Sequence, residues 1–86
     1  MTKTQAIKKA RNQVTSIYAF GNNYRFNYFD ESMNCWCESN PSNYHSVLFH
    51  RSQELIYRTC QLMGLSYDQC CHKMYQYSVG RWVTYI

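Results

Sequence analysis

Apolar and polar positions follow two rhythms along this chain, one close to the helix period and one close to the strand period. Ile7, Ala10, Val14 and Ile17 recur at i, i+3, i+7 and i+10, a single helical stripe with Lys8 and Arg11 turned away from it. Thr2-x-x-Gln5 stands just before them at capping-box spacing, so a helix is predicted over roughly residues 3–16. The rhythm then shortens. Ile17-Tyr18-Ala19-Phe20 meets Gly21-Asn22-Asn23, residues that tolerate φ > 0 and suit a hairpin turn. Tyr24 to Phe29 alternates, with Tyr24, Phe26 and Tyr28 on one face and Arg25 and Asn27 on the other. Asp30 to Asn34 reads as a second turn and Cys35-Trp36-Cys37-Glu38-Ser39 as a third strand.

The longer period returns after Asn40-Pro41, which supplies a side-chain oxygen for the N-cap and a fixed φ for the first helical residue. Leu48, Leu55 and Leu62, with Tyr44, Val47, Cys60 and Met63 beside them, predict a long helix ending at Gly64. Ser66-x-x-Gln69 restarts a shorter helix carrying Cys70, Met74 and Tyr77. Gly80 is expected to stop it, and Arg81 to Ile86 alternates into a last strand. The predicted order is α-β-β-β-α-α-β. That makes an α+β two-layer sandwich, an antiparallel sheet of about four strands with two or three helices on one face. Residues 1–86 form one small domain, with no repeats, linker or low-complexity tract.

Composition adds the first hint of function. The chain is 45% hydrophobic and only 16% charged, which excludes a disordered state. Nine Tyr, four Phe and two Trp make fifteen rings. A domain of this size buries only about 60–65% of its unfolded surface, and each ring needs roughly 150–250 Å² of cover. Some of the aromatics must face water, and exposed Tyr and Trp are enriched at recognition surfaces.

Charge is uneven. Lys3, Lys8, Lys9, Arg11 and Arg25 fall within residues 1–29 without a single acid, whereas Arg51, Arg58, Lys73 and Arg81 are offset by five acids further on. The basic end suits an anionic partner, although a solvated helix face would look the same. Arg51, Glu54 and Arg58, spaced three and four apart, read as an exposed ion-pair chain. As an alternative they present two bases to an acidic partner. No apolar run is long enough to cross a bilayer, and the polar, basic N-terminus lacks the apolar core of a secretory signal. The expected address is the cytoplasm, with reduced thiols and no membrane partner.

Candidate chemistry is sparse. Cys35-x-Cys37 and Cys70-Cys71-His72, with His45 or His50 as spares, supply zinc-ligand types but not the usual two-to-four-residue spacing. On a strand, Cys35 and Cys37 share the face opposite to Trp36; on a helix, Cys70 and Cys71 diverge by about 100°. A Cys-His-acid set exists in composition only, and no phosphate loop, nucleophile elbow or H-E-x-x-H occurs. The sequence is therefore read as non-enzymatic, without metal or other cofactor.

The basic opening Thr2-Lys3-Thr4-Gln5-Ala6-Ile7, the run Tyr18-Ala19-Phe20-Gly21-Asn22 with Arg25-Phe26, and Trp36-Cys37-Glu38-Ser39 before Pro41 span the first two-thirds of the chain. In these it resembles small accessory proteins of phages and conjugative plasmids, including anti-CRISPR and anti-restriction inhibitors. The resemblance carries over no functional residue. Many such inhibitors are acidic mimics of nucleic acid, and this basic chain departs from that pattern. What it implies is an inhibitor or modulator that covers a protein site or engages acidic or guide-RNA surfaces.

The combined expectation is a non-catalytic binding protein of a mobile genetic element. It would dock on a larger protein or ribonucleoprotein complex of the host, such as a nuclease or CRISPR effector. Lys8, Arg11, Arg25, Tyr28 and Trp36 are the expected contact residues, aromatics for area and bases for steering. The alternative is a small RNA- or single-stranded-DNA-binding protein using the same surface, with bases on phosphates and rings on unpaired nucleobases. Oligomeric state is left open.

Overall fold

Thr2 opens the first helix as its spacing predicts. In a computed structural model, which describes residues 1–78, the Thr2 backbone N–H donates to Gln5 Oε1 at 3.1 Å and Gln5 N–H to Thr2 Oγ1 at 3.3 Å. Helix α1 (Lys3–Asn12) buries Ala6 and Ala10 and stops four residues earlier than the stripe suggested. The reason is a competing partner. Val14 bridges to Tyr28, with Thr15 N–H bonded to the Asn27 carbonyl and Phe29 N–H to the Gln13 carbonyl. Two β-branched residues thus leave the helix for an extended path that still buries Val14.

Strands β1 (Tyr18–Phe20) and β2 (Asn23–Arg25) form an antiparallel hairpin across Gly21-Asn22. Gly21 takes φ 61°, a conformation that costs glycine little. Strands β3 (Asn27–Asp30) and β4 (Cys35–Glu38) form a second hairpin. The predicted single sheet is corrected here: the two hairpins are separate two-stranded ribbons, and the predicted second strand breaks at Phe26. Phe26 is drawn into the core and its backbone bonds to Ser39, through the Ser39 hydroxyl and the Ser39 N–H. On either side the ladder changes partner. Tyr24 exchanges both backbone bonds with Ser42, whereas Asn27 turns to Thr15.

That exchange also moves the next helix. Ser42 is held extended by Tyr24, so helix α2 (Tyr44–Leu62) starts at the N-cap Asn43, whose side chain accepts from Ser46 N–H at 2.9 Å, and not at Asn40-Pro41. Its far end matches expectation. Gly64 sits at φ 82°, with Gly64 N–H bonded to the Gln61 carbonyl and Leu65 N–H to that of Cys60, a Schellman closure. Ser66 and Gln69 exchange reciprocal capping bonds before helix α3 (Tyr67–Ser78). The predicted stop at Gly80 and the predicted strand at Arg81–Ile86 lie outside the described residues.

Helix α2 is the axis of the packing, with α1, α3 and β2 against it. Val47 and Leu55 join Ala10, Val14 and Phe26 in one core cluster, on which Ile17, Tyr28 and Leu62 pack. Ile56 and Cys60 join Cys70 in a second, completed by Ile7, Tyr57 and Met74 among others. The described chain is an α+β fold of order α-β-β-β-β-α-α.

Candidate binding face

Strand register decides which side chains stand together. Tyr18 faces Arg25 and Phe20 faces Asn23 in the first ribbon, while Asn27 faces Glu38 and Phe29 faces Trp36 in the second. Members of an opposed pair lie on one face. Two bonds join the faces across the break at Phe26. The Tyr18 hydroxyl donates to Asn27 Oδ1 at 2.8 Å, and Arg25 Nη1 donates to Glu38 Oε2 at 2.7 Å. The result is one continuous outer face built by both ribbons.

Its centre is aromatic. Phe20 is 49% exposed and Trp36 52%, with Tyr18 at 36%. Trp36 meets Phe29 edge-to-face at 5.7 Å, and the Arg25 guanidinium lies 3.9 Å from the centroid of the Phe20 ring. Arg25 is largely covered, its side chain 13% exposed, and its Nε is buried without an acceptor. Stacked on Phe20 and paired with Glu38, it presents little net charge to a ligand. On the opposite faces Tyr24, still 37% exposed, meets Tyr44 of α2 edge-to-face at 5.3 Å, and Tyr28 sits half-buried against the first core cluster, 6.2 Å from Phe26.

The structure therefore brings Arg25 and Trp36 onto one surface, places Tyr28 half-buried on the reverse side, and leaves Lys8 and Arg11 exposed on α1. Phe20, Phe29 and Glu38 complete the face and were absent from the predicted set. Their signal was in the sequence, since a two-residue Gly21-Asn22 turn fixes the register that sets Phe20 beside Arg25. What hid it was the break at Phe26, which no local pattern announces.

The other candidates resolve differently. Arg58 shows the predicted i, i+4 pair with Glu54, Nε to Oε1 at 2.7 Å, but its side chain is only 12% exposed. Its other two nitrogens donate to Gln13 Oε1 at 3.0 Å and to the Phe29 carbonyl at 2.7 Å. Arg51 donates to the Thr15 carbonyl at 2.7 Å; burial, and then the nearby charge of Arg11, lower its pKa. Neither is the solvated cation expected. A cleft of about 490 Å³ opens beside Arg58, lined by Gln13, Tyr28, Glu31 and Tyr57 among others. Within it Gln13 Nε2 also donates to Glu31 Oε1 at 2.9 Å.

Three groups near the thiols are held protonated. Burial, followed by a hydrogen bond with the neighbouring Cys35 that favours the protonated form, pushes the Cys37 thiol up, and burial followed by the adjacent Cys60 does the same for Cys70. Tyr67 is raised by its hydrogen bond with Cys71. Such thiols are weak nucleophiles. The zinc-ligand types are divided between β4 and α3, and among the described residues no three His, Cys, Asp or Glu converge as a metal site would require. No described helix is long and apolar enough to cross a membrane. No protein-family model, curated protein or solved structure gives a significant match to the chain.

Proposed function

We propose that this chain is a non-catalytic binding protein whose outer ribbon face docks on a larger protein or ribonucleoprotein complex. A mobile-element inhibitor or modulator of a host nuclease or defence complex fits that reading. The observation that carries it is the shared exposure of Phe20 and Trp36 on one face stitched by Tyr18–Asn27 and Arg25–Glu38. Large, rigid rings supply contact area at low entropic cost, and a neutralised ion pair at their side suits a protein surface. The thiols of Cys37 and Cys70, both held towards the protonated form, favour binding over nucleophilic chemistry at those two positions.

A partner captured from the native host tests this. Phe20→Ala with Trp36→Ala is expected to abolish capture, while Tyr75→Ala on the distant helix α3 leaves it unchanged. Capture that survives the double variant overturns the assignment of the face. Binding to generic oligonucleotides with a steep log–log salt slope replaces the reading with the RNA- or single-stranded-DNA-binding alternative.

A further inference from the structure

The docking face leaves the Cys35-x-Cys37 motif unused. Two residues apart on β4, both side chains stand on the side opposite Trp36, which they share with their register partners Asp30 and Tyr28 of β3. The β3–β4 ladder fixes their spacing. Bonds from Ser32 and Met33 to Asp30 Oδ1 close the turn beside them. Cys35 is exposed and Cys37 half-buried, so the pair is open to solvent at one sulfur and backed by protein at the other. The two thiols hydrogen-bond to each other, which turns the sulfur atoms together.

Strand spacing decides what can join them. Alternate residues of a strand have Cα atoms about 6.5–7 Å apart, at or beyond the disulfide limit, so a direct S–S bond of about 2.05 Å strains the backbone. An ion held in line between two thiolates sets the sulfurs about 4.6 Å apart, twice a metal–thiolate bond of about 2.3 Å, and asks the strand to give far less. That ion must be content with two ligands, since among the described residues no three His, Cys, Asp or Glu converge. Zinc takes four, and calcium and magnesium take a larger shell of oxygens. A closed-shell monovalent ion completes its shell with two thiolates, and copper(I) is the ion of that kind that soft sulfur ligands select.

We propose that Cys35 and Cys37 form a two-coordinate copper(I) site on the reverse of the docking face. Binding forms two Cu–S bonds and releases both thiol protons to solvent, with no change in oxidation state: one copper(I) and two thiols give a bis-thiolate copper(I) anion and two protons. Cys35, the exposed sulfur, meets the ion first, and Cys37 anchors it beside Tyr28. The remaining thiols are placed differently. Cys60 and Cys70 are sealed in the second core cluster, and Cys71 is hydrogen-bonded to Tyr67. Because the ion sits on the far side of β4 from Trp36, the site stands or falls independently of what the aromatic face binds.

Titration of freshly reduced, anaerobic protein with copper(I), supplied as its acetonitrile complex and read by competition with bicinchoninate, tests the site. One copper per chain, withheld from bicinchoninate, is expected for the wild type and for Cys71→Ser. Cys35→Ser and Cys37→Ser each exchange one sulfur for oxygen at an exposed or half-buried position, and unchanged circular dichroism is expected of both. Each is expected to weaken copper binding by more than about 100-fold, beyond the roughly 10–100-fold that loss of a supporting contact costs. A wild type that yields its copper to bicinchoninate, either variant holding copper at wild-type affinity, or loss on Cys71→Ser alone overturns the site. Equilibrium dialysis against zinc is the second measurement. Sub-stoichiometric zinc is expected, and one zinc per chain that depends on Cys35 and Cys37 overturns the two-coordinate assignment.

Discussion

Arg58 commits its whole guanidinium fork to the protein interior, tying α2 to the end of α1 and to β3. Only the Glu54 pairing was legible in the sequence, because a partner four residues away lies on the same helix face. Gln13 and Phe29 are distant in the chain, and no spacing rule reaches them. Arg58→Met is expected to cost about 1.5–3 kcal/mol, the range for hydrogen bonds to a charged group. Arg58→Lys should recover little of this, since an ammonium cannot serve three divergent acceptors; urea denaturation of both variants measures it. Arg25 and Glu38 differ in degree. Glu38 is mostly exposed, so Glu38→Gln should lower stability by less than about 1 kcal/mol in the same measurement.

At the scale of elements, helix ends obeyed local chemistry where nothing else claimed the backbone. Thr2–Gln5, Ser66–Gln69 and the Gly64 closure all formed at their predicted positions. The ends that moved, Asn12 for α1 and Asn43 for α2, are those where a strand offered alternative backbone partners. Two substitutions separate the caps: Asn43→Ala is expected to cost about 1 kcal/mol, whereas Asn40→Ala should fall within about 0.5 kcal/mol of wild type. Gly64→Ala meets no steric obstacle but forces a side chain into the left-handed region. A loss of about 1–2 kcal/mol is expected from it. Thermal or chemical denaturation of the three variants distinguishes a true cap from a bystander.

For the whole molecule, acid and alkali act through different groups. Asp30 is held below the usual carboxylate range by the Ser32 hydroxyl, then by Met33 N–H, with smaller help from Ser32 N–H and Arg58. Its contribution is present above the unfolded carboxylate value near about 3.9 and is lost as pH falls through the lower folded value. Asp30→Asn should therefore flatten the acid limb of a stability–pH curve. Cys70 has the opposite sign: its raised thiol favours the protonated form, so its stabilisation is intact below about 8.5 and declines as pH rises through the folded value. Cys70→Ala should remove that alkaline decline. By itself the sequence determined the presence of the helices, the turn glycines and the α+β class, because each depends on neighbours a few residues away. Only the tertiary structure decided that Phe26 splits the sheet and that Phe20, Arg25, Phe29 and Trp36 share a face with Glu38. Those outcomes rest on backbone groups choosing among partners far apart in the chain, and core burial of one ring settled the choice.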